Sequence, residues 1–220
     1  MRAHSAKEDR NLPARGRRGA PRFTSEAVRH CLRDTAFGPV AVLWSAEVRA
    51  PGIVRILLSK PGLPAPRSLA TQFSGSASSS CREIGLVLDR IEAFLCGEDI
   101  RFSLDTVRLD LCPPFQRRVL RAVHAIRRGR VGTYRLIAAR ADVPGGARAT
   151  GTALATNPFP LVIPCHRVIR SDGSPGGYGG GAGMKRALLA MEGVVFHASG
   201  KVVLRKGAHP PDRPVPGFCG

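Results

Sequence analysis

The sequence predicts two units in tandem: a small α/β unit over residues 23–112 and a mostly helical unit over 113–196 carrying a helix-turn-helix. Three observations point there. Val40-Ala41-Val42-Leu43-Trp44 and Ile53-Val54-Arg55-Ile56-Leu57-Leu58 are short apolar runs rich in branched residues, the pattern of buried strands. Cys112-Pro113-Pro114 interrupts the chain, and beyond it the apolar period is helical. The charge changes at the same place. Residues 23–112 carry ten Lys/Arg against ten acids, whereas 113–196 carry thirteen against three.

Residues 1–22 are basic, rich in Pro, Gly and Arg, and show no apolar period, so they are expected to form a flexible tail. Gly38-Pro39 and Pro51-Gly52 are turn signals before the two strands. Residues 61–80 are rich in Pro, Ser and Gly and read as a loop. Ile84, Val87, Leu88, Ile91, Phe94 and Leu95 share one helical face over 82–96, with Gly97 as a stop. Phe102, Leu104, Val107, Leu109 and Leu111 suggest an extended exit from this unit. No catalytic constellation is visible in it, and its expected role is scaffold.

In the second unit, Phe115, Val119, Leu120, Val123 and Ile126 form a helical stripe beside Arg117, Arg118 and Arg121. Thr133 suits an N-cap for a short helix through Leu136 and Ala139. Val143-Pro144-Gly145-Gly146 ends it, and a second short helix spans 147–155. Two short helices across a Gly-containing turn are a helix-turn-helix pattern. The second is almost all small residues around Arg148. It either approaches a partner closely with Arg148 probing, or packs tightly on its neighbours with Arg148 merely exposed. Asn157-Pro158 ends it. A last helix runs from about Met184 to Glu192, with Leu188 and Leu189 inward, and 197–220 reads as a basic tail.

A net charge of +18, concentrated after residue 112, suggests a polyanionic partner, most simply nucleic acid. No apolar run approaches the roughly 20 residues that span a bilayer, and the N-terminal segment has no apolar signal core. No membrane association is expected. The six scattered cysteines include no C-x-x-C pair, which fits neither a disulfide framework nor a zinc finger. A reducing compartment, the cytoplasm (the nucleoid in a bacterium), is expected. His4, His30 and Cys31 make no four-ligand metal site, so no metal is expected.

The chemistry centres on Ile163-Pro164-Cys165-His166-Arg167-Val168. A thiol on stiff backbone beside an imidazole is a candidate nucleophile, although an isolated Cys is more often a core residue. Downstream lie a Gly-rich loop with one aromatic, Tyr178, and the unit's last acid, Glu192. A carboxylate at a helix C-terminus opposes the dipole, which suggests another task for it.

Taken together, Asn157-Pro158, Pro164-Cys165-His166-Arg167, Gly177-Tyr178-Gly179-Gly180-Gly181 and Leu188-Leu189-Ala190-Met191-Glu192-Gly193 resemble the O6-alkylguanine-DNA alkyltransferases. The ordered match runs from about Phe115 to Gly193, and upstream only size and pattern agree. The resemblance implies a ribonuclease-H-like N-terminal domain and a winged-helix-like DNA-binding domain. It implies that Cys165 accepts the alkyl group, His166 acts as its base through a water, Glu192 orients His166, and Asn157 holds the turn beneath. Tyr134 and Arg148 would rotate the target base out of the duplex, with Ala147, Ala149 and Gly151 giving the helix its close fit in the minor groove. Tyr178, Gly179 and Val168 would line the substrate pocket. The implied partner is double-stranded DNA carrying O6-alkylguanine, and also O4-alkylthymine, bound by a monomer without cofactor. Each molecule would act once, because a thioether has no route back to the thiol here. A His-carboxylate relay would raise the thiolate fraction by lowering the thiol pKa.

The sequence departs from the family at several positions. Met191 stands where many members have His, Gly179 where some have Ser, Ala155 where some have Arg, and Thr150 and Thr152 make the second helix more polar. These bear on rate and on the range of alkyl groups. Two other readings are open: a non-catalytic DNA-binding sensor or regulator, whose relatives lack the cysteine, and a Cys-His hydrolase, which leaves the positive charge unexplained.

Overall fold

A computed structural model describes residues 28–46 and 51–204. The expected tail over 1–22, and the C-terminal tail beyond 204, lie outside the described residues. The first unit is built on a four-stranded sheet: β1 (Arg29–Arg33), β2 (Val40–Ser45), β3 (Gly52–Leu58) and β4 (Ala77–Ser78), ordered β3-β2-β1-β4. The first three strands pair antiparallel, and β4 lies parallel to β1. β2 is buried along its whole length. Successive side chains alternate between the sheet's two faces. Val40, Val42 and Trp44 face α2 (Arg82–Leu95), while Ala41 and Leu43 face α1 (Ala65–Gln72). Burying each such branched or aromatic side chain contributes about 1.5–3 kcal/mol.

Two expectations fail here. Residues 61–80 are not one loop, because they contain α1 and β4. Proline lacks the N–H that the first helical turn leaves unbonded anyway, so Pro66 at the start of α1 begins a helix rather than breaking one. Ala65 and Leu69 then supply its buried face. Residues 102–111 are not an extended segment either. They form two 3-10 turns, Leu104–Thr106 and Leu109–Leu111, the first capped by the Ser103 hydroxyl accepting from the Asp105 N–H at 3.2 Å. Val107 bridges to the sheet at Ile53, and the Arg108 N–H donates to Ile53 O at 2.8 Å.

The second unit contains α3 (Pro114–His124), α4 (Tyr134–Arg140), α5 (Ala147–Ala155) and α6 (Gly181–Met191). A two-stranded parallel pair, β5 (Gly132–Thr133) and β6 (Val168–Ile169), ties the start of α4 to the segment after Cys165. Thr133 caps α4 by accepting from the Leu136 N–H at 3.2 Å. α6 begins three residues earlier than Met184, because the Gly-rich loop winds into its first turn. Packing also continues past residue 197: Val202 is buried with Val131, Ile169 and Leu189.

One apolar cluster runs through both units, joining Phe94 and Val107 to Val119, Ile163 and Leu188. The units also share a backbone bond. β3 is a sheet edge, and its Ile56 N–H donates to Pro158 O at 2.8 Å. That bond fixes the turn leading to Cys165.

Candidate active site

Cys165 opens a single 3-10 turn, Cys165–Arg167, and its N–H is bonded to Ile163 O at 2.8 Å. The preceding chain is held by two devices. Leu161 adopts a left-handed φ of 73°, a strained conformation for a branched residue, kept in place by burial. Asn157 then acts as a clamp. Its Oδ1 accepts from the Phe159 N–H at 3.0 Å, and its Nδ2 donates to Ile163 O and to Cys165 Sγ, both at 3.2 Å. One amide therefore sets the turn and touches the thiol.

Behind the thiol lies a buried charged cluster. His166 is fully buried, and its Nε2 lies 3.0 Å from Glu192 Oε1. Burial holds His166 below its ordinary pKa despite the carboxylate, so the imidazole is neutral at neutral pH. Neutral imidazole bonded to a carboxylate through Nε2–H carries its lone pair on Nδ1. Nδ1 has no hydrogen-bond partner among the described residues. It is a base with its acceptor free, and no direct Cys165–His166 bond is made.

Glu192 is the C-cap of α6 and its side chain is wholly buried. Arg167 grips it with Nε at 2.9 Å to Oε2 and Nη2 at 2.7 Å to Oε1, while Nη1 donates to Ile126 O at 2.6 Å. Burial raises the carboxyl, but the hydrogen bonds from His166 and Arg167 outweigh it and bring its pKa to about 2. The sequence showed the carboxylate but not this partner.

Lys185 is a second buried cation that sequence reasoning missed. It is fully buried on α6, and its Nζ donates to Val168 O at 2.6 Å and Gly177 O at 3.3 Å. Burial brings its pKa to about 8, with the Cys165 charge acting the other way. A readable signal existed: a Lys on the same face as Leu188 and Leu189.

The expected lowering of the thiol pKa is not what the resting site produces. Burial pushes Cys165 up, opposed by the Asn157 hydrogen bond and the Lys185 charge. The His166–Glu192 pair does not touch the sulfur, so it does not hold a standing thiolate.

Of the expected pocket residues, Gly179 lines a cavity of about 150 Å³ with Cys165 and Asn157. Tyr178 sets its ring edge-on to His166 at 6.1 Å, with its hydroxyl buried and unpartnered among the described residues. Val168 does not line that cavity. Its side chain is in the core and its carbonyl holds Lys185. Tyr134 opens α4 beside the site; burial, and then the Cys165 charge, raise its pKa. Ala147, Arg148, Ala149 and Gly151 lie on α5, with Arg148 and Ala149 exposed near its start. Gly151 faces the Tyr134 ring, where a Cβ would sit 3.9 Å away.

Comparison with known proteins places this geometry. Residues 114–194 match the family model for the 6-O-methylguanine DNA methyltransferase DNA-binding domain. The methylated-DNA–protein-cysteine methyltransferase of Methanothermobacter thermautotrophicus is 51% identical over 53% of this chain and 65% of its own length. That of Mycolicibacterium paratuberculosis is 43% identical over 48% of this chain and 62% of its own length. The chain thus spans a little under two thirds of these two relatives. It spans more of the Salmonella typhimurium protein of the same name: 49% identity over 70% of this chain and 76% of that one. Among solved structures, the Mycobacterium tuberculosis O6-methylguanine methyltransferase superposes with a TM-score of 0.60 at 30% identity, covering 75% of this chain and 92% of that one. The structure of the same bacterium's OGT in complex with DNA superposes with a TM-score of 0.57, also at 30% identity, covering 76% of this chain and 92% of that one.

Proposed function

The chain belongs to the methylated-DNA–protein-cysteine methyltransferases, and on that premise we propose that it repairs O6-alkylguanine in duplex DNA by moving the alkyl group to Cys165. The observation that carries this reading is the pairing of a half-buried thiol, clamped by Asn157, with a neutral buried histidine whose Nδ1 is free.

The sulfur attacks the alkyl carbon in line with the C–O6 bond. As the S–C bond forms, the C–O6 bond breaks and its electron pair returns to the guanine, which takes a proton from water, while the imidazolium formed at His166 returns the thiol proton to water. The thiol proton leaves through one bridging water to His166 Nδ1. Glu192 stabilises the imidazolium that forms, and Arg167 keeps Glu192 ionised and aimed. Lys185 and the Asn157 amide favour negative charge on sulfur during attack. A thiol protonated at rest and deprotonated only when the base is seated avoids wasting the one nucleophile on other electrophiles. The thioether product has no route back, so each molecule acts once.

The target lies within the duplex and must be flipped out at a cost of a few kcal/mol. Arg148, exposed near the start of α5, fills the vacated place in the stack, and Tyr134 crowds the target's phosphate. Ala147, Ala149 and Gly151 let α5 enter the minor groove. The α4–α5 pair with β5 and β6 acts as a winged-helix-like reader, and the sheet unit is ribonuclease-H-like. The protein acts as a monomer, and O4-alkylthymine is a second substrate.

The test is transfer of labelled methyl from alkylated duplex to protein. Label should saturate near one per molecule, and continued turnover would overturn the reading. A non-catalytic reader would bind the duplex and take no label.

A further inference from the structure

The sheet unit is expected to be scaffold, but one of its corners helps line the thiol's cavity. The cavity of about 150 Å³ is lined by Cys165 and Gly179 from the second unit, and also by Ile56, Lys60, Ser68 and Gln72. The second group comes wholly from the β3–α1 corner of the first unit. A backbone hydrogen bond ties that corner to the site, and the Gly-rich loop runs close beside it. Ile56 N–H donates to Pro158 O at 2.8 Å, directly after the Asn157 clamp. At the loop's end, a Cβ on Gly181 would lie 3.4 Å from Pro61 Cδ. The corner is therefore bonded to the turn before Cys165 and lies next to the start of α6.

Resting on the alkyl-transfer reading, we propose that this corner is the outer wall of the alkyl compartment and selects which adducts Cys165 accepts. In-line attack fixes the first carbon between sulfur and O6, so any further atoms of the adduct must turn aside. The space beside Cys165 and Gly179 leads to the β3–α1 wall. A cavity near this size holds a benzene ring, so it accepts more than a methyl group. Its far side is partly polar. Lys60 brings a cation, and among the described residues no acid lines the cavity. The wall thus suits two adduct classes: a bulky apolar group such as benzyl, and a short chain ending in a carboxylate. The absence of a side chain at Gly179 keeps the inner side open, leaving size discrimination to Gln72, the exposed last residue of α1.

The experiment measures single-turnover rate constants on one duplex carrying O6-methyl-, O6-benzyl- or O6-carboxymethylguanine, for the full chain and two variants. Each rate is divided by the same variant's methyl rate, which cancels effects on DNA binding and on the fraction folded. Gln72→Trp should lower the benzyl-to-methyl ratio at least about tenfold, the scale set by misfitting one or two carbons in a pocket. Lys60→Glu should lower the carboxymethyl-to-methyl ratio by a similar factor and leave the benzyl-to-methyl ratio in place. Both ratios unmoved in both variants would overturn the wall's selective role. Loss of methyl transfer in the parent chain would instead overturn the transfer reading beneath it.

Discussion

Substituting Glu192 with Gln separates what the buried cluster does for stability from what it does for chemistry. Gln keeps the volume and removes the charge. Arg167, with its side chain 9% exposed, is left as a buried cation without its carboxylate. Breaking a buried pair from one side costs about 3–5 kcal/mol. A second route gives a similar figure. Glu192 titrates at about 2 in the fold against an ordinary 4.5, which corresponds to roughly 3 kcal/mol. Because the folded pKa is depressed, that stability is present above about pH 4.5 and is lost as pH falls toward 2. Urea unfolding at neutral pH should show Glu192→Gln less stable by about 3–5 kcal/mol, with a flatter acid limb below pH 4.5 than the parent. The double variant Arg167→Met/Glu192→Gln removes both charges and should recover most of that loss. Its transfer rate should nonetheless stay down by about 10²–10⁴, the contribution of a positioned base. A single variant within about 1 kcal/mol of the parent, or a double variant that regains transfer, would refute the cluster's assigned roles.

Three further outcomes are expected. Asn157→Ala removes the hydrogen bond that lowers the Cys165 pKa, so the rise of transfer rate with pH should move to higher pH, and an unmoved profile would leave Asn157 with the turn alone. Arg148→Ala should slow repair in duplex DNA but not reaction with free O6-alkylguanine base, whereas equal slowing of both would remove its stacking role. The logarithm of affinity for undamaged duplex should fall linearly with log salt, about one unit of slope per phosphate contact, and a flat response would detach the basic second unit from DNA.

Local pattern explains which elements the sequence disclosed. β2 and β3 are dense in branched residues, and the bounds of α5 follow from Gly146 on one side and Asn157-Pro158 on the other. α1 was hidden because Pro64 and Pro66 look like loop composition until their places at its N-cap and in its first turn are known. The site divides in the same way. Cys165, His166 and Asn157 lie within ten residues, and their motif is readable as a string. The Arg167–Glu192 grip spans 25 residues and depends on α6 folding back over the 3-10 turn, so no spacing announces it. The β3–α1 wall has no motif, because it arises from an edge strand docking on a turn about a hundred residues later. The thiol's pKa was misjudged because a sequence shows neighbours in the chain but not depth of burial.

The central claim is that Cys165 is the single acceptor. Mass-spectrometric mapping after reaction with O6-methylguanine duplex tests it most directly. S-methylcysteine should be found at residue 165 alone among the six cysteines, and Cys165→Ala should carry none while still binding the duplex. Methyl on Cys31, Cys81, Cys96, Cys112 or Cys219 in place of Cys165, or an unmodified protein beside repaired DNA, would contradict the account.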